Sequence, residues 1–225
     1  MKEIRILILD GLLPDLKRAE SSYLLSRKIK ELHHIEIAQI ERDISIILHD
    51  LSYTELILSL ARLYDRSSKR YPTRCLEKLH HIVEGNNYQC KIHKTRSGAD
   101  DHLQFLGFNF GEVELMNNST QEQYGKRAKY HFESIEQSEP LFNDIQKLRE
   151  IRDKILAHNE NIELDPLFKY ESIENLIGHA KNVISFYSVT YTGMSLMSKN
   201  RFFIGNSNVK WAKTYEMFHK KNSGN

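Results

Sequence analysis

Residues 141–160 read LFNDIQKLREIRDKILAHNE, and this stretch decides the fold class and carries the candidate site. Its apolar residues follow one another at intervals of four, three, three and four positions, the spacing of one face of an α-helix. They are Leu141, Ile145, Leu148, Ile151 and Ile155. Ser138-Glu139-Pro140 directly before them is a helix start signal. The stretch therefore predicts a helix that begins near Pro140 and buries this apolar face.

The same stretch contains Arg152 and His158, six residues apart, with Asp153 directly after the arginine. A guanidinium neutralises charge on a phosphate, and an imidazole moves a proton near neutral pH. These are the groups that a ribonuclease without a metal ion requires. The structural alternative stays open, because a histidine near a helix C-terminus is favourable through the helix dipole alone.

The geometry of this pair predicts a dimer. On one helix the two residues would be about 120° apart around the axis and ~9 Å apart along it. The long arginine side chain could close much of that gap, particularly if the helix loosens at Ala157. A second copy of the helix across a two-fold axis could close the rest, because an isologous interface presents the same patch twice. We therefore expect dimerisation to complete the site.

The composition favours helices throughout the chain. Four prolines and ten glycines in 225 residues leave few breaks, and 40% hydrophobic with 28% charged residues is typical of a globular protein. We predict an all-α bundle with an irregular insert at about 85–119. The predicted helices are 14–41, 44–66, 71–83, 121–135, the helix from 138 onward and 167–197. The helix at 44–66 is apolar over much of its circumference, which predicts a central, buried helix.

The formal charge of +2 does not by itself indicate a nucleic-acid-binding protein, but basic residues are concentrated locally. One cluster supplies weak candidates for RNA binding: Arg66, Lys69, Arg70 and Arg74. Residues 199–225 form a second basic segment, which we interpret as a flexible extension after a helical domain at 1–198. Both segments are equally well explained as a solvated surface and a loose tail.

Two cysteines provide no disulfide framework and fit a reducing cytoplasm. No signal peptide and no uninterrupted apolar run of about 20 residues is present, so we expect a cytoplasmic protein away from membranes. Cys75, His80, His81, Cys90 and His93 lack the spacing of a zinc site. We expect no metal ion and no cofactor.

The segment Arg152–His158 at the end of a helix resembles the Arg-x(4–6)-His motif of HEPN-domain proteins. The wider run Leu148-Arg-Glu-Ile-Arg-Asp-Lys-Ile-Leu-Ala-His-Asn159 is most similar to the AbiU2-like branch of bacterial abortive-infection systems. A second stretch, Leu56-Ile-Leu-Ser-Leu-Ala-Arg-Leu-Tyr-Asp-Arg66, resembles the buried helix of that branch. The resemblance covers the helical plan of roughly residues 15–197 and says nothing about the insert or the tail.

The resemblance implies a homodimeric helical bundle that acts as a metal-independent endoribonuclease toxin in phage defence or a toxin–antitoxin system. Arg152 would then bind the scissile phosphate, His158 would transfer a proton, and Asp153 would orient either side chain. An antitoxin or another defence-system component is the partner it implies besides RNA. Glu160 stands where some members carry a modified tyrosine, which weakens the case for a nucleotidyltransferase partner. The alternative is a catalytically inactive HEPN module that dimerises and binds protein or nucleic acid.

Overall fold

The computed structural model describes residues 2–32, 39–68, 73–85, 99–157, 168–198 and 201–202. Within these ranges the chain forms nine α-helices, and the predicted all-α class is confirmed. The helices are α1 Lys2–Leu7, α2 Leu13–Leu32, α3 Gln39–Leu63, α4 Leu76–Gly85, α5 Ala99–Phe105, α6 Phe110–Asn117, α7 Gln121–Glu136, α8 Glu139–Ala157 and α9 Tyr170–Tyr187. Two π-helical turns, Ile8–Leu12 and Ser188–Thr192, join α1 to α2 and extend α9. After them, β1 Met197–Ser198 pairs antiparallel with β2 Arg201–Phe202.

Helix α2 begins at Leu13, beside the predicted start at Pro14, but the chain is already helical from Lys2, which the sequence did not predict. Proline has no N–H to donate to the carbonyl four residues earlier, which here belongs to Asp10. Arg74 donates its Nη1–H to that carbonyl instead, and the preceding turn widens to π geometry. Arg74 also crosses directly over Gly11, where a Cβ would lie 2.9 Å from the arginine Cδ. The chain therefore remains helical through the proline.

Helix α3 packs along α2, and its two halves differ in burial. The C-terminal half is fully buried, as predicted, at Leu56, Ile57, Leu60, Ala61 and Leu63. The N-terminal half is exposed at Ile44, Ile46, Ile47 and Leu51, so the prediction of a buried helix is wrong there. Of the described helices, the part of α3 from Arg42–Leu63 is long and apolar enough to cross a membrane by length and composition, and 44% of that window is buried.

The described part of the predicted insert consists of two short helices that join the core. A capping box between Asn109 and Glu112 starts α6, and a second one between Thr120 and Gln123 starts α7. Five residues of this region are buried with the rest of the core: Leu103, Leu106, Phe108, Val113 and Met116. Residues 86–98 lie outside the described ranges, so the remainder of the predicted insert is not described.

Helices α4, α7, α8 and α9 enclose the second half of the core, which is rich in aromatic rings. Phe132, Phe186 and Tyr187 are in mutual ring contact there, with centroids 5.4–6.1 Å apart. The C-terminal helix was predicted to extend from Leu167 to Met197, but α9 and its π turn end at Gly193, whose φ of 71° terminates the helix. Most of the basic tail, 203–225, lies outside the described ranges, and the predicted boundary at 198/199 stays a prediction.

Candidate functional site

Helix α8 presents Arg152 at the edge of its buried face. Leu141, Ile145, Leu148 and Ile151 all face the core, as the sequence predicts. Arg152 follows directly, and its side chain is 20% exposed. A charged group at this level of burial needs partners of opposite charge, because desolvation disfavours its charged form.

Two carboxylates hold the guanidinium of Arg152. Nη1 lies 2.8 Å from Oδ1 of Asp65, at the end of α3. Nε and Nη2 lie 2.9 and 2.8 Å from Oδ1 of Asp153, the next residue on α8. Burial lowers the pKa of Arg152, but the two carboxylates outweigh it, so the pKa is raised above its usual value. Arg152 is therefore a fixed cation at the junction of α3 and α8.

Arg149, one helical turn before Arg152, fixes the end of α3. Its Nε and Nη2 donate to the backbone carbonyl of Tyr64 at 3.2 and 2.7 Å. Burial, followed by the positive charges of Arg66 and Arg152, lowers the pKa of Arg149. Because Asp65 directly follows Tyr64, this contact also determines where the Asp65 carboxylate meets Arg152. The backbone N–H of Arg66 donates to the same Asp65 oxygen at 3.0 Å.

The side chain of Tyr64 begins a chain of buried polar groups. Its hydroxyl donates to the carbonyl of Leu176 at 2.6 Å and lies 3.0 Å from Nδ1 of His179. Since the only hydroxyl proton is used by Leu176, we assign the Nδ1–H tautomer to His179, which donates to the Tyr64 oxygen. Burial lowers the pKa of His179 to about 4, so the ring is neutral at pH 7.

Glu136 lies between His179 and a second buried histidine, His80. Its Oε1 is 3.8 Å from Nε2 of His179 and 3.7 Å from Nε2 of His80, and none of these three atoms has a hydrogen-bond partner among the described residues. Nδ1 of His80 is 2.8 Å from the hydroxyl of Tyr187. Burial raises the pKa of Glu136, but the two histidines and Arg149 outweigh it, and the pKa is lowered. Behind Arg152, the hydrogen bonds of Tyr64 join the end of α3 to α9, the His80–Tyr187 contact joins α4 to α9, and Glu136 of α7 lies between the two histidines.

The structure describes two of the four weak candidates for RNA binding. Arg66 and Arg74 are both exposed, on either side of the gap at 69–72. Arg74 lines a groove of about 470 Å³ together with Arg18, Arg62 and Asp65. The groove also contains acidic groups, and Asp15 pairs with Arg62 at 2.8 Å and with Arg18 at 3.4 Å. Lys69 and Arg70 lie outside the described residues.

His158, the second candidate catalytic residue, also lies outside the described residues, and α8 is described to Ala157. The predicted site is therefore described at Arg152 and Asp153, which are in direct contact. The geometry of the predicted Arg152–His158 pair stays a prediction.

Of the residues considered for zinc, Cys75 and His80 are buried, whereas His81 is exposed and faces Glu77. Cys90 and His93 lie outside the described ranges. Across the described ranges, no group of three or more histidine, cysteine, aspartate or glutamate residues has an arrangement that could hold a metal ion.

Sequence reasoning missed Asp65 and Arg149 as parts of this site. Both residues stand within the stretches that drew attention, but the two stretches are more than 80 positions apart in the chain. Helical spacing shows which residues share a face, and it does not show which other helix that face meets. One signal for Arg149 was available in the sequence, because residues three positions apart on a helix lie on the same side, as Arg149 and Arg152 do.

Comparison with known proteins identifies one family. The model of the HEPN AbiU2 family, described as AbiU2, matches residues 46–200, which include most of α3, Asp65 and Arg152. No curated protein and no solved structure matches the chain.

Proposed function

Because the chain belongs to the HEPN AbiU2 family, we propose that it is a metal-independent endoribonuclease toxin of a bacterial defence or toxin–antitoxin system. The observation that carries the proposal is a partly buried arginine, Arg152, held by Asp65 and Asp153 where the family's motif begins. A preorganised guanidinium stabilises the charge that develops on a phosphate during transfer. The family supports a role in abortive infection, and RNA cleavage goes one step beyond that.

In the proposed reaction the 2′-hydroxyl oxygen attacks the adjacent phosphorus, and the bond to the 5′-oxygen of the next nucleotide breaks. The products are a 2′,3′-cyclic phosphate and a 5′-hydroxyl. Arg152 binds the non-bridging phosphate oxygens. His158 accepts the proton of the 2′-hydroxyl or donates one to the leaving 5′-oxygen. The reaction is confined to RNA because it needs the 2′-hydroxyl.

The proposed enzyme is a homodimer with one cleft between the two copies of α8. The helix spacing of Arg152 and His158 supports this arrangement, because a two-fold axis presents both groups at one cleft twice. The exposed side chain of Leu156, 69% accessible on the last turn of α8, adds apolar surface near that cleft.

The direct test is cleavage of a labelled single-stranded RNA in the presence of EDTA. We expect wild type to produce fragments ending in a cyclic phosphate, and Arg152→Ala and His158→Ala to lose the activity. Lys154→Ala is the matched control, because it removes an exposed positive charge from the same helix. A strand with one 2′-deoxy nucleotide at the cleavage position should remain intact.

Equal products from wild type and both alanine variants would indicate a contaminating nuclease and overturn the proposal. The alternative, a binding module without catalysis, is favoured by the paired state of Arg152, because an arginine held by two carboxylates also serves as a structural ion pair. A folded, dimeric protein that binds RNA or protein but cleaves none of a library of RNA strands would establish that alternative.

A further inference from the structure

We infer that the two carboxylates on Arg152 have opposite roles: Asp65 positions the guanidinium for a phosphate, and Asp153 competes with that phosphate. The inference rests on the proposed function in one respect, since it takes the phosphate backbone of RNA as the ligand of Arg152. To that site it adds a positioning residue, Asp65, and a carboxylate that lowers the affinity for phosphate, Asp153.

The guanidinium of Arg152 is already paired with both carboxylates. Each nitrogen of the Arg152 guanidinium contacts a carboxylate, Nη1 that of Asp65 and both Nε and Nη2 that of Asp153. Nη1 and Nη2 each keep a second N–H, whereas the single N–H of Nε faces Asp153. One positive charge thus faces two negative charges at contact distance. A phosphate brings further negative charge, and like charges at this distance repel. A phosphate therefore binds Arg152 more strongly once one of the two carboxylates has moved away.

Asp65 is the carboxylate that is held in place. Its Oδ1 accepts from the backbone N–H of Arg66 as well as from Arg152. The residue before it, Tyr64, is fixed at its carbonyl by Arg149 and at its hydroxyl by Leu176 and His179. Movement of Asp65 would disturb contacts with both α8 and α9.

Asp153, in contrast, can move away from the guanidinium. Its side chain is 67% exposed, against 40% for Asp65, and its described contacts are to Arg152 alone. Exposed ion pairs contribute little to stability, because water solvates both charges when they separate. A change of side-chain rotamer moves the Asp153 carboxylate into solvent without any change in the backbone.

Movement of Asp153 uncovers one edge of the Arg152 guanidinium. Nε and Nη2 form the side edge of a guanidinium, where two parallel N–H groups bind two oxygens of one phosphate. Asp153 occupies that edge, whereas Asp65 binds Nη1. Departure of Asp153 thus opens the edge suited to bidentate phosphate binding, and Asp65 continues to orient the group.

The test is the affinity of the full-length protein for a fluorescent 2′-O-methylated single-stranded RNA, which binds without being cleaved. Asp153→Asn and Asp65→Asn each remove one negative charge next to Arg152, so electrostatics alone would tighten RNA binding in both variants. We expect Asp153→Asn to lower Kd about two- to fivefold at low ionic strength, the size of an exposed ion pair. We expect Asp65→Asn to raise Kd. Added salt should reduce the Asp153→Asn effect.

Two controls isolate the role of Arg152. Glu150→Gln removes an exposed negative charge from the same helix and should leave Kd unchanged. Asp153→Asn should have no effect in an Arg152→Ala background. Equal tightening by Asp153→Asn and Glu150→Gln, or tightening by Asp65→Asn, would overturn the inference, as would unchanged or weaker binding by Asp153→Asn. Circular dichroism spectra and melting curves verify that each variant is folded.

A parallel assay with a cleavable strand separates this inference from the nuclease proposal. Tighter, Arg152-dependent binding by Asp153→Asn without cleavage by any variant would end the nuclease proposal and leave the roles of the two carboxylates intact. Binding that appears only in Asp153→Asn would also support the inference. Lack of binding by every variant, Asp153→Asn included, would overturn it.

Discussion

Tyr64 is held at both its backbone and its side chain, and this makes its hydroxyl important for stability. Tyr64→Phe removes the acceptor of the His179 Nδ1–H and the donor to the Leu176 carbonyl. A buried polar group left without a partner costs about 1–3 kcal/mol, and we expect a loss of that size in the free energy of unfolding. Urea titration measures it. Tyr130→Phe, at a ring that is 77% exposed, is the control and should be nearly neutral.

The depressed pKa of His179 makes the protein sensitive to acid. Burial holds the folded pKa at about 4, below the ordinary value of 6.5, so the unfolded chain binds more protons between these values. Stability is therefore fully present above pH 6.5 and falls as the pH drops towards 4, by up to roughly 3 kcal/mol.

NMR titration of the His179 ring tests this prediction directly. We expect a midpoint near pH 4, and nitrogen shifts at higher pH that show the proton on Nδ1. A midpoint near 6.5 would contradict the burial argument, and a proton on Nε2 would contradict the tautomer. Urea titrations at several pH values should show the corresponding loss of stability.

At the scale of a single helix, α3 shows what an apolar stripe can and cannot predict. The same spacing runs along its whole length, yet Leu60 is fully buried and Ile47 is 59% exposed. We expect Leu60→Ala to cost about 2–5 kcal/mol of stability, because it removes packed atoms and leaves a cavity. Ile47→Ala is the matched change, and it should alter the free energy of unfolding, measured by urea titration, by less than about 0.5 kcal/mol. Similar losses for both would show that the N-terminal half is covered in solution.

Helix α7, which carries Phe132 and Glu136, depends on its first turn. The Thr120 hydroxyl accepts from the backbone N–H of Gln123, and the Gln123 side chain accepts from the N–H of Thr120. Thr120→Ala should reduce stability by about 1 kcal/mol, because it leaves a helix N–H without an acceptor. Thr120→Ser keeps the hydroxyl and should restore most of the loss in urea titrations. Failure of serine to do so would assign the effect to the lost methyl group.

Local signals predicted the helices better than their ends. The spacing of Leu141 to Ile155 and the breaks around 119 and 138 correctly placed α7 and α8. The helical stretch before Pro14 was missed because the carbonyl that a proline leaves unpaired is satisfied by Arg74, about 60 residues later in the chain. The exposed half of α3 was missed for a similar reason: a helical stripe is visible in sequence, but the presence of a neighbour to cover it is not.

At the scale of the whole molecule, the candidate site forms where the end of α3 meets α8, so the sequence near either helix alone cannot predict all of it. The motif near the end of α8 predicted Arg152 and Asp153, and the structure places them in contact with each other. Asp65 follows α3, and the hydrogen bonds of Tyr64 and His80 join α3 and α4 to α9. None of these contacts between helices leaves a pattern in the local sequence, because each depends on how separate helices pack.

The proposed dimer can be tested by mixing two variants that are each expected to be inactive, Arg152→Ala and His158→Ala. If each site takes Arg152 from one protomer and His158 from its partner, a mixed dimer contains one intact site and one doubly substituted site. Random exchange makes half of the dimers mixed, so about one quarter of the wild-type cleavage rate should return. The rate is measured after subunit exchange, with sedimentation used to verify that the protein is dimeric.

The control mixture contains Arg152→Ala and the double variant Arg152→Ala/His158→Ala, in which no arrangement of protomers creates an intact site. Cleavage that returns in the first mixture and stays absent in the second would mean that the two groups come from different protomers. A dimeric protein with no recovery in either mixture would contradict the shared site, because each pair of Arg152 and His158 would then lie within one protomer. A dimer would still form in that case, but it would stabilise α8 without completing the chemistry.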